Sequence, residues 1–303
     1  MTAGPGAARY VAWGIAFGIC GVLAFSLRPI LIKLAYAQHP VSPTTLLFVR
    51  MLIALPFFAA VAWWVRAAEP KLSARDWRII AALGLVGYYA ASFLDFIGLQ
   101  WVGAGLGRLI LFLYPTLVLL LSFFFFHRRP AGSEVVALLL SYCGIALVLS
   151  THLAAVSGGE MFMLGAACIF GGALAYAVYL VASAEVVRRV GSMRFTALSM
   201  VFATVPALLQ FPLVESYGSL ELPRPVWGYA VLIGTVCTVL PVFLVSEALK
   251  RIGPNHMALI GAVGPVSAAL TGAIGLDEPF TWMQALGSLL VIAGVLLVSL
   301  KRS

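Results

Sequence analysis

The second half of this chain repeats the first, residue against residue, at an offset of 150 positions. Prolines, glycines and tryptophans carry the match, and the pairs include Pro56 with Pro206, Trp77 with Trp227, Gly84 with Gly234, Pro115 with Pro265 and Gly144 with Gly294. The register holds over almost the whole length without a gap. We therefore expect two structural copies, residues 1–150 and 151–303, that meet in the loop 151–160.

Hydrophobic residues make up 62% of the 303 residues, and charged residues only 10%. A soluble globular domain carries about 25% charged residues, so this balance indicates a membrane protein. Stretches of about 20 residues nearly free of charge can cross a hydrocarbon core about 30 Å thick. The pattern predicts an all-α membrane protein with ten transmembrane helices, at residues 10–36, 42–65, 77–99, 104–126, 132–150, 161–182, 194–213, 226–248, 254–275 and 281–300.

An odd number of helices in each copy, here five, places the two copies in opposite orientations across the membrane. Two inverted five-helix repeats around a site at the bilayer midplane are the architecture of alternating-access transporters. Lysines and arginines cluster in alternate loops, such as 66–78, 128–129 and 188–194, while the loop 151–160 has none. The positive-inside rule then places both termini in the cytoplasm of a multi-pass protein of the cell inner (plasma) membrane. The net charge of +8 is therefore topological and predicts no nucleic-acid partner.

Polar side chains form matched stripes on four of the predicted helices, the first, third, sixth and eighth. On the third helix, Tyr88, Ser92 and Asp95 share one helical face. A stripe of this kind faces the bundle interior or a cavity, and tyrosine rings suit an amphipathic solute. The predicted solute-binding residues are Ser26, Tyr88, Ser92, Asp95, Tyr176, Tyr179 and Thr238. The alternative is that the tyrosines only join neighbouring helices.

Four ionisable residues are candidates for gating or charge pairs. Asp95 and Arg108 lie about equally far from the turn at 101–102, so an antiparallel hairpin puts them at the same depth. Glu247 and His256 are placed likewise around a turn predicted near 251–252. Ionisable residues inside the membrane often belong to proton relays. The alternative is structural pairs near helix ends, or side chains that reach to water.

Basic residues in the outer half of the first copy break the internal symmetry. They are Arg28, Lys33, Arg50 and Arg108, and their repeat mates are Val178, Ser183, Met200 and Ala258. Arginine and lysine bind carboxylates and phosphates, so the cluster favours a solute with an anionic group. Solvated helix ends are the alternative.

Pro115 and Pro265 lie inside the fourth and ninth predicted helices. A proline inside a helix removes a backbone hydrogen bond and kinks the helix, so both residues are candidate hinges. Static curvature is the alternative.

Signatures of catalysis are missing from the sequence. There is no Walker A run and no HExxH motif, and the four cysteines stand singly in separate predicted helices. We therefore expect no enzyme, no catalytic residues, no metal and no cofactor. The expected partners are a small-molecule substrate and the lipid bilayer, and the chain is expected to be a monomer or a homodimer.

The end of the third helix through the fifth helix of each half resembles the EamA domain of the drug/metabolite transporter superfamily. The similar runs are Gly98-Leu-Gln-Trp-Val-Gly-Ala with Tyr114-Pro115, Ala248-Leu-Lys-Arg-Ile-Gly-Pro with Gly264-Pro265, and Asp277-Glu278-Pro279 before the last helix. The resemblance implies ten helices in two inverted repeats, with a central cavity walled by helices 1, 3, 4, 6, 8 and 9. The chain is similar in character to the YddG-like branch of amino-acid exporters.

These observations predict a secondary transporter that exports small amphipathic metabolites, amino acids first among them, by alternating access. An organic-phosphate or nucleotide-sugar exchanger is an alternative, favoured by the basic cluster. An integral-membrane enzyme is an alternative of another class, and it would need a nucleophile and a base that converge at one depth.

Overall fold

The fold was obtained as a computed structural model, which describes residues 5–65, 72–126, 132–155, 159–261, 263–276 and 281–300. The described part consists of helices joined by short turns. The helices are α1 (Pro5–Ser26), α2 (Arg28–Gln38), α3 (Pro43–Val65), α4 (Ala74–Gly84), α5 (Ala91–Gly98), α6 (Ala104–Leu111), α7 (Tyr114–Phe126), α8 (Gly132–Ala155), α9 (Gly159–Val190), α10 (Ser192–Val214), α11 (Arg224–Gly234), α12 (Leu240–Gly261), α13 (Val263–Leu276) and α14 (Trp282–Leu300).

The all-helical prediction is confirmed for these residues. Seven helical segments are long and apolar enough to cross a membrane, and three shorter apolar helices accompany them at Leu138–Val148, Val266–Leu276 and Trp282–Gly294. Helices are expected here because lipid offers no hydrogen-bond partner to an open backbone. The count of ten transmembrane helices stays a prediction.

Prolines divide two of the predicted helices. Leu27 forms a turn between α1 and α2, and Pro29 follows at the start of α2. In the fourth predicted helix, a turn at residues 112–113 separates α6 from α7, and Pro115 lies in the first turn of α7. Proline has no N–H and clashes with the preceding turn, which explains both interruptions. The helix is thus interrupted just before Pro115, and the use of this residue as a hinge stays a prediction.

Two π-helical turns stand at matched positions of the repeat. Leu85–Ala90 joins α4 to α5, and Thr235–Val239 joins α11 to α12. Each π turn follows a glycine, Gly84 or Gly234, at the end of the preceding helix. A π turn inserts one extra residue into a helix and turns the following side chains to a new direction.

The turn predicted near 251–252 falls inside a segment with helical hydrogen bonding, since α12 extends from Leu240 to Gly261. The contacts with α1 nevertheless show that the chain turns back within this segment. A methyl group added at Gly18 would lie 3.6 Å from Ala248 and 3.0 Å from Ile260, although 12 residues of straight helix span about 18 Å. Gly14 lies against Arg251 and Ile252, so the chain turns back just after the predicted position.

Glycines let helices of the two halves approach closely, and they do so reciprocally. A methyl group at Gly84 would lie 2.4 Å from the carbonyl oxygen of Ser199 on α10. Its repeat mate Gly234 lies against α3, where a methyl group would be 2.9 Å from Ile53 and 3.2 Å from the carbonyl oxygen of Arg50. Small residues at such crossings are typical of membrane helix packing. The contacts of α1 with α12, and of α9 with α5, repeat the same relation.

Candidate functional site

Arg28 and Asp95 form a salt bridge in the interior of the bundle. The Nη2 atom of Arg28, at the start of α2, donates to Oδ2 of Asp95 on α5 at 2.8 Å. The Asp95 side chain is 2% exposed and that of Arg28 is 11% exposed. A carboxylate buried this deeply requires a cationic partner, since an unpaired charge is costly to remove from water.

Asp95 was predicted to pair with Arg108, and this prediction is wrong. Equal distance from a turn sets the depth of two residues, but it does not set the direction in which their side chains point. The break at Leu27 brings Arg28 to the carboxylate instead. Arg108 stays within electrostatic range of Asp95, Arg28, Tyr114 and Tyr176.

Arg50 on α3 is the most deeply buried arginine of the site, with an exposed fraction of 2%. Its Nε atom donates to the Thr238 hydroxyl at 3.0 Å, and its guanidinium lies 5.7 Å from the centre of the Phe96 ring. Thr238 in turn donates to the Ile233 carbonyl at 2.7 Å. The π turn thus positions Thr238 to accept from Arg50, which links the two halves.

Ser26 and Arg108 lie close together beside Gly264. A methyl group at Gly264 would be 3.5 Å from the Ser26 hydroxyl and 3.6 Å from Nη2 of Arg108. The hydroxyl of Ser26 donates toward two carbonyls, that of Val22 at 2.8 Å and that of Gly264 at 3.1 Å. Ser26 is therefore fully engaged with the backbone in this conformation. Ser92, one turn from Asp95, is buried.

Four tyrosines form an aromatic cluster next to the charged residues. Tyr179 donates to the Tyr88 hydroxyl at 3.2 Å, with ring centres 5.0 Å apart. Tyr176 stacks on Tyr179 at 5.7 Å and meets Tyr114 edge-on at 5.2 Å. The matched stripes on the third and sixth predicted helices therefore do meet, and their polar tips remain close to the arginines.

Gly87 creates the space that Tyr179 occupies. A methyl group at this position would lie 2.3 Å from the Tyr179 ring, well inside contact distance. The glycine belongs to the first π turn, as Tyr88 does. The turn therefore supplies both a hydroxyl for Tyr179 and a gap for its ring.

A small cavity of about 10 Å³ lies on the far side of the tyrosines, lined by Phe58, Val61, Met193, Thr196, Ala197, Val242, Phe243 and Ser246. This is about the room that one water molecule needs. Thr196 interacts with the hydroxyls of both Tyr88 and Tyr179. The cavity thus adjoins the aromatic cluster from the α10 side.

Glu247 forms its ion pairs within its own helix. Its carboxylate binds Arg251 at 3.0 Å and Lys250 at 3.5 Å, and Arg251 also lies 4.9 Å from the Phe17 ring. These partners are exposed or half-buried, so the pairs belong to the rim of the bundle. His256, the predicted partner of Glu247, and Pro265, the second predicted hinge, lie outside the described side chains.

Sequence reasoning missed three features of the site. It did not find the π turns, it did not include Tyr114, and it assigned Gly87 no part. The adjacent glycine and tyrosine at positions 87 and 88, inside the predicted stripe, are the signal that could have indicated a special backbone there. Tyr114 precedes Pro115, so the interrupted helix could have drawn attention to it.

An all-helical membrane protein with charged and tyrosine side chains buried at its centre belongs to the class of multi-pass membrane proteins that handle solutes. The EamA-like transporter family matches this chain twice, over residues 12–150 and 163–300. The chain belongs to the EamA-like transporter family. It is a membrane transporter, and the family belongs to the drug/metabolite transporter superfamily.

Relatives of the chain are described as transporters of unassigned specificity. It is 30% identical to the uncharacterized transporter YcbK of Bacillus subtilis (strain 168) over 288 residues, which cover 92% of this chain and 90% of that protein. An uncharacterized transporter of Archaeoglobus fulgidus is 24% identical over 295 residues, covering 96% and 95% of the two chains. A protein solved by crystallography has the same fold, with a TM-score of 0.66 and 20% identity over 95% of this chain and 96% of that one.

Proposed function

We propose that this transporter exports small amphipathic metabolites, amino acids first among them, across the cell inner membrane by alternating access. The observation that carries the proposal is the meeting of a buried charged cluster with an aromatic one at the interface of the two halves. Solute sites combine an apolar wall with a few convergent polar groups, which is what these residues provide.

The architecture we propose is ten transmembrane helices in two inverted five-helix repeats, residues 1–150 and 151–303. Reciprocal glycine contacts, at Gly84 with α10 and at Gly234 with α3, support a two-fold relation between the copies. The matched π turns support it independently. The uneven distribution of lysine and arginine supports cytoplasmic termini, and the transporter would act as a monomer or a homodimer.

An amino acid fits the two clusters in one orientation. Its carboxylate accepts hydrogen bonds from the arginines, while its ammonium group is attracted to Asp95. Its side chain lies against the rings of Tyr88, Tyr176 and Tyr179, which offer both apolar faces and hydroxyl tips. Ser26, Ser92 and Thr238 complete the polar wall.

Polar contacts between the two halves lie at opposite ends of α3 and support gating. At one end Ser42 donates to Glu215. At the other end Asp76, whose carboxylate also caps α4, forms a salt bridge with Arg189 of α9. Alternating access requires one of these two contacts to open while the other holds. The breaks near Leu27 and Pro115 give the moving helices points at which to bend.

Transport by purified protein in proteoliposomes tests the proposal. Loaded vesicles are assayed for release of a panel of amino acids, with and without a pH gradient. Tyr179→Ala and Tyr88→Ala should each reduce the initial rate about tenfold, because each removes a ring and a hydroxyl from the site. Tyr217→Ala is the matched control, since this tyrosine is 71% exposed. Unchanged rates in both site variants would reject this assignment of the site.

An organic-phosphate exchanger is the second candidate, and a specific observation favours it. Three arginines surround the site, and the guanidinium group binds phosphate in a bidentate manner. Counterflow would separate the two candidates, because only an exchanger of phosphate compounds takes up labelled sugar phosphate against an internal store of the same compound.

A further inference from the structure

The charges buried at the centre of the site do not balance. Arg28, Arg50 and Arg108 carry three positive charges, and Asp95 is the acidic residue that pairs with one of them. Among the described residues, this leaves a net charge of about +2 in the interior, because burial does not neutralise arginine readily. A buried charge without a partner is strongly destabilising, so an uncompensated buried charge points to a ligand that supplies the partner.

Each of the three guanidinium groups also has a buried nitrogen that makes no hydrogen bond to the described residues. These atoms are Nε of Arg28, Nη1 of Arg50 and Nε of Arg108. A buried donor without an acceptor destabilises the fold, and more so when the donor is charged. Three such donors in one cluster require a common explanation, since one isolated case could be a local defect of packing.

The three arginines lie in one region of the interior. Arg28 bonds to Asp95, and Arg50 lies against the residue that follows Asp95 in the chain. Arg108 lies close to Ser26, two residues before Arg28. Like charges in one buried region repel, and among the described residues Asp95 is the carboxylate that opposes this repulsion. An anionic partner would balance the remaining charge.

Water at a helix end does not explain the cluster. Arg50 is 2% exposed and lies against Phe96, which is fully buried. Its repeat mate Met200 is also buried, so the same depth in the other half holds a neutral side chain. The fold uses part of the donor capacity of Arg28 and Arg50, and one nitrogen of each stays without an acceptor.

We propose that Arg28, Arg50 and Arg108 form an anion subsite, and that its preferred occupant is an organic anion with two negative charges, a dicarboxylate or a phosphate monoester. The subsite rests on the proposed transport function, and within it the subsite favours doubly negative solutes, the class of the second candidate, over zwitterionic amino acids. A divalent anion balances the charge of about +2, and its oxygens accept from the three free donors. A zwitterion supplies one carboxylate and no net charge, so it binds more weakly. A cation is excluded.

Binding to the purified full-length protein in detergent tests the subsite without requiring transport. Equilibrium dialysis is run with labelled succinate and glycerol phosphate as divalent probes, glutamate as a monovalent probe, leucine as a zwitterion and putrescine as a cation. The expected affinity falls in that order of charge. Equal affinity for leucine and the divalent probes would overturn the proposal, and so would saturable binding of putrescine.

Variants at Arg108 locate the subsite, because the Nε atom of this side chain is a buried donor with no hydrogen bond to the described residues. Arg108→Gln should weaken succinate binding at least about tenfold, the effect of one lost charged hydrogen bond. Arg108→Lys, which keeps the charge but loses the planar fork, should show a smaller loss. Arg78→Gln is the matched control, since Arg78 is exposed and bonds to its own helix. Equal binding by Arg108→Gln and Arg78→Gln would reject the site.

Asp95→Asn distinguishes an anion subsite from a site built around an ammonium group. The substitution raises the local charge by one, so succinate binding should stay or tighten, whereas a site that holds an ammonium group would lose affinity. Weaker succinate binding in a variant with an unchanged elution volume and thermal midpoint would overturn the proposal.

The outcome for the subsite and the outcome for transport are separable. Saturable binding of divalent anions that is lost in Arg108→Gln establishes the subsite, even if proteoliposomes show no flux. Flux of neutral amino acids with no binding of divalent anions leaves transport in place and rejects the subsite.

Discussion

The two halves of this transporter share a backbone plan but differ in the charge at their cores. Gly84 and Gly234 make matching close contacts, and each is followed by a π turn. Arg50 and its repeat mate Met200 are both buried on matching helices, yet one is charged and the other apolar. The comparison teaches that backbone packing and side-chain charge vary independently between the two halves. The glycine contacts and π turns are symmetric, whereas the candidate site lies where the side chains of the two halves differ.

The largest expected effect comes from placing an arginine at the position of the second half that matches Arg50. Met200→Arg puts a charge at a position 2% exposed. It should destabilise the fold by about 4 kcal/mol or more, the usual result of a buried charge without a partner. Expression and the midpoint of thermal unfolding measure this, and Met200→Leu is the control with nearly the same volume. A stable Met200→Arg protein would show that both halves tolerate charge at this depth, and the contrast would fail.

A medium effect is expected at the two matched glycines, Gly84 and Gly234, because different atoms lie opposite each of them. Gly84→Ala places its methyl group against the backbone of Ser199, which cannot move aside, whereas Gly234→Ala meets mainly the side chain of Ile53. We expect Gly84→Ala to cost about 3 kcal/mol and Gly234→Ala about 1 kcal/mol. Thermal unfolding of both variants side by side sharpens the comparison. The reverse order would mean that α3 is held more rigidly than α10.

The smallest effect is expected at the hydroxyl of Tyr88. Tyr88→Phe removes the acceptor of the Tyr179 hydrogen bond but keeps the ring contact. The free energy of unfolding should fall by about 1 kcal/mol. The loss of free energy of solute binding should be larger than this loss of stability. Thr238→Val, at the repeat mate, removes the acceptor for Arg50 and gives the parallel measurement in the second half. Equal losses of stability without any change in affinity would show that both hydroxyls only join helices.

The sequence was sufficient to predict helices, the repeat and three residues of the tyrosine cluster, Tyr88, Tyr176 and Tyr179, but not Tyr114. Polar residues are rare in such a chain, so each one stands out, and a shared helical face places Tyr88, Ser92 and Asp95 together. A shared helical face does not show which charged residues form a pair. Arg28 reaches Asp95 because the backbone turns at Leu27, and a spacing rule for straight helices contains no such turn.

The π turns were hard to predict because they depend on how neighbouring helices pack. The reversal after Ile252 was predicted from the sequence, as a turn near 251–252. A π turn is one extra residue in a helix, and hydrophobic periodicity over a short window barely detects it.

The π turns leave the register of the repeat unchanged. The offset is 150 on both sides of them, from Pro56 with Pro206 to Pro115 with Pro265. An extra residue in one copy alone would shift this offset by one position. The two copies therefore carry the same number of residues through their π turns, and a residue inserted or deleted in Leu85–Ala90 or Thr235–Val239 would put one half out of step with the other.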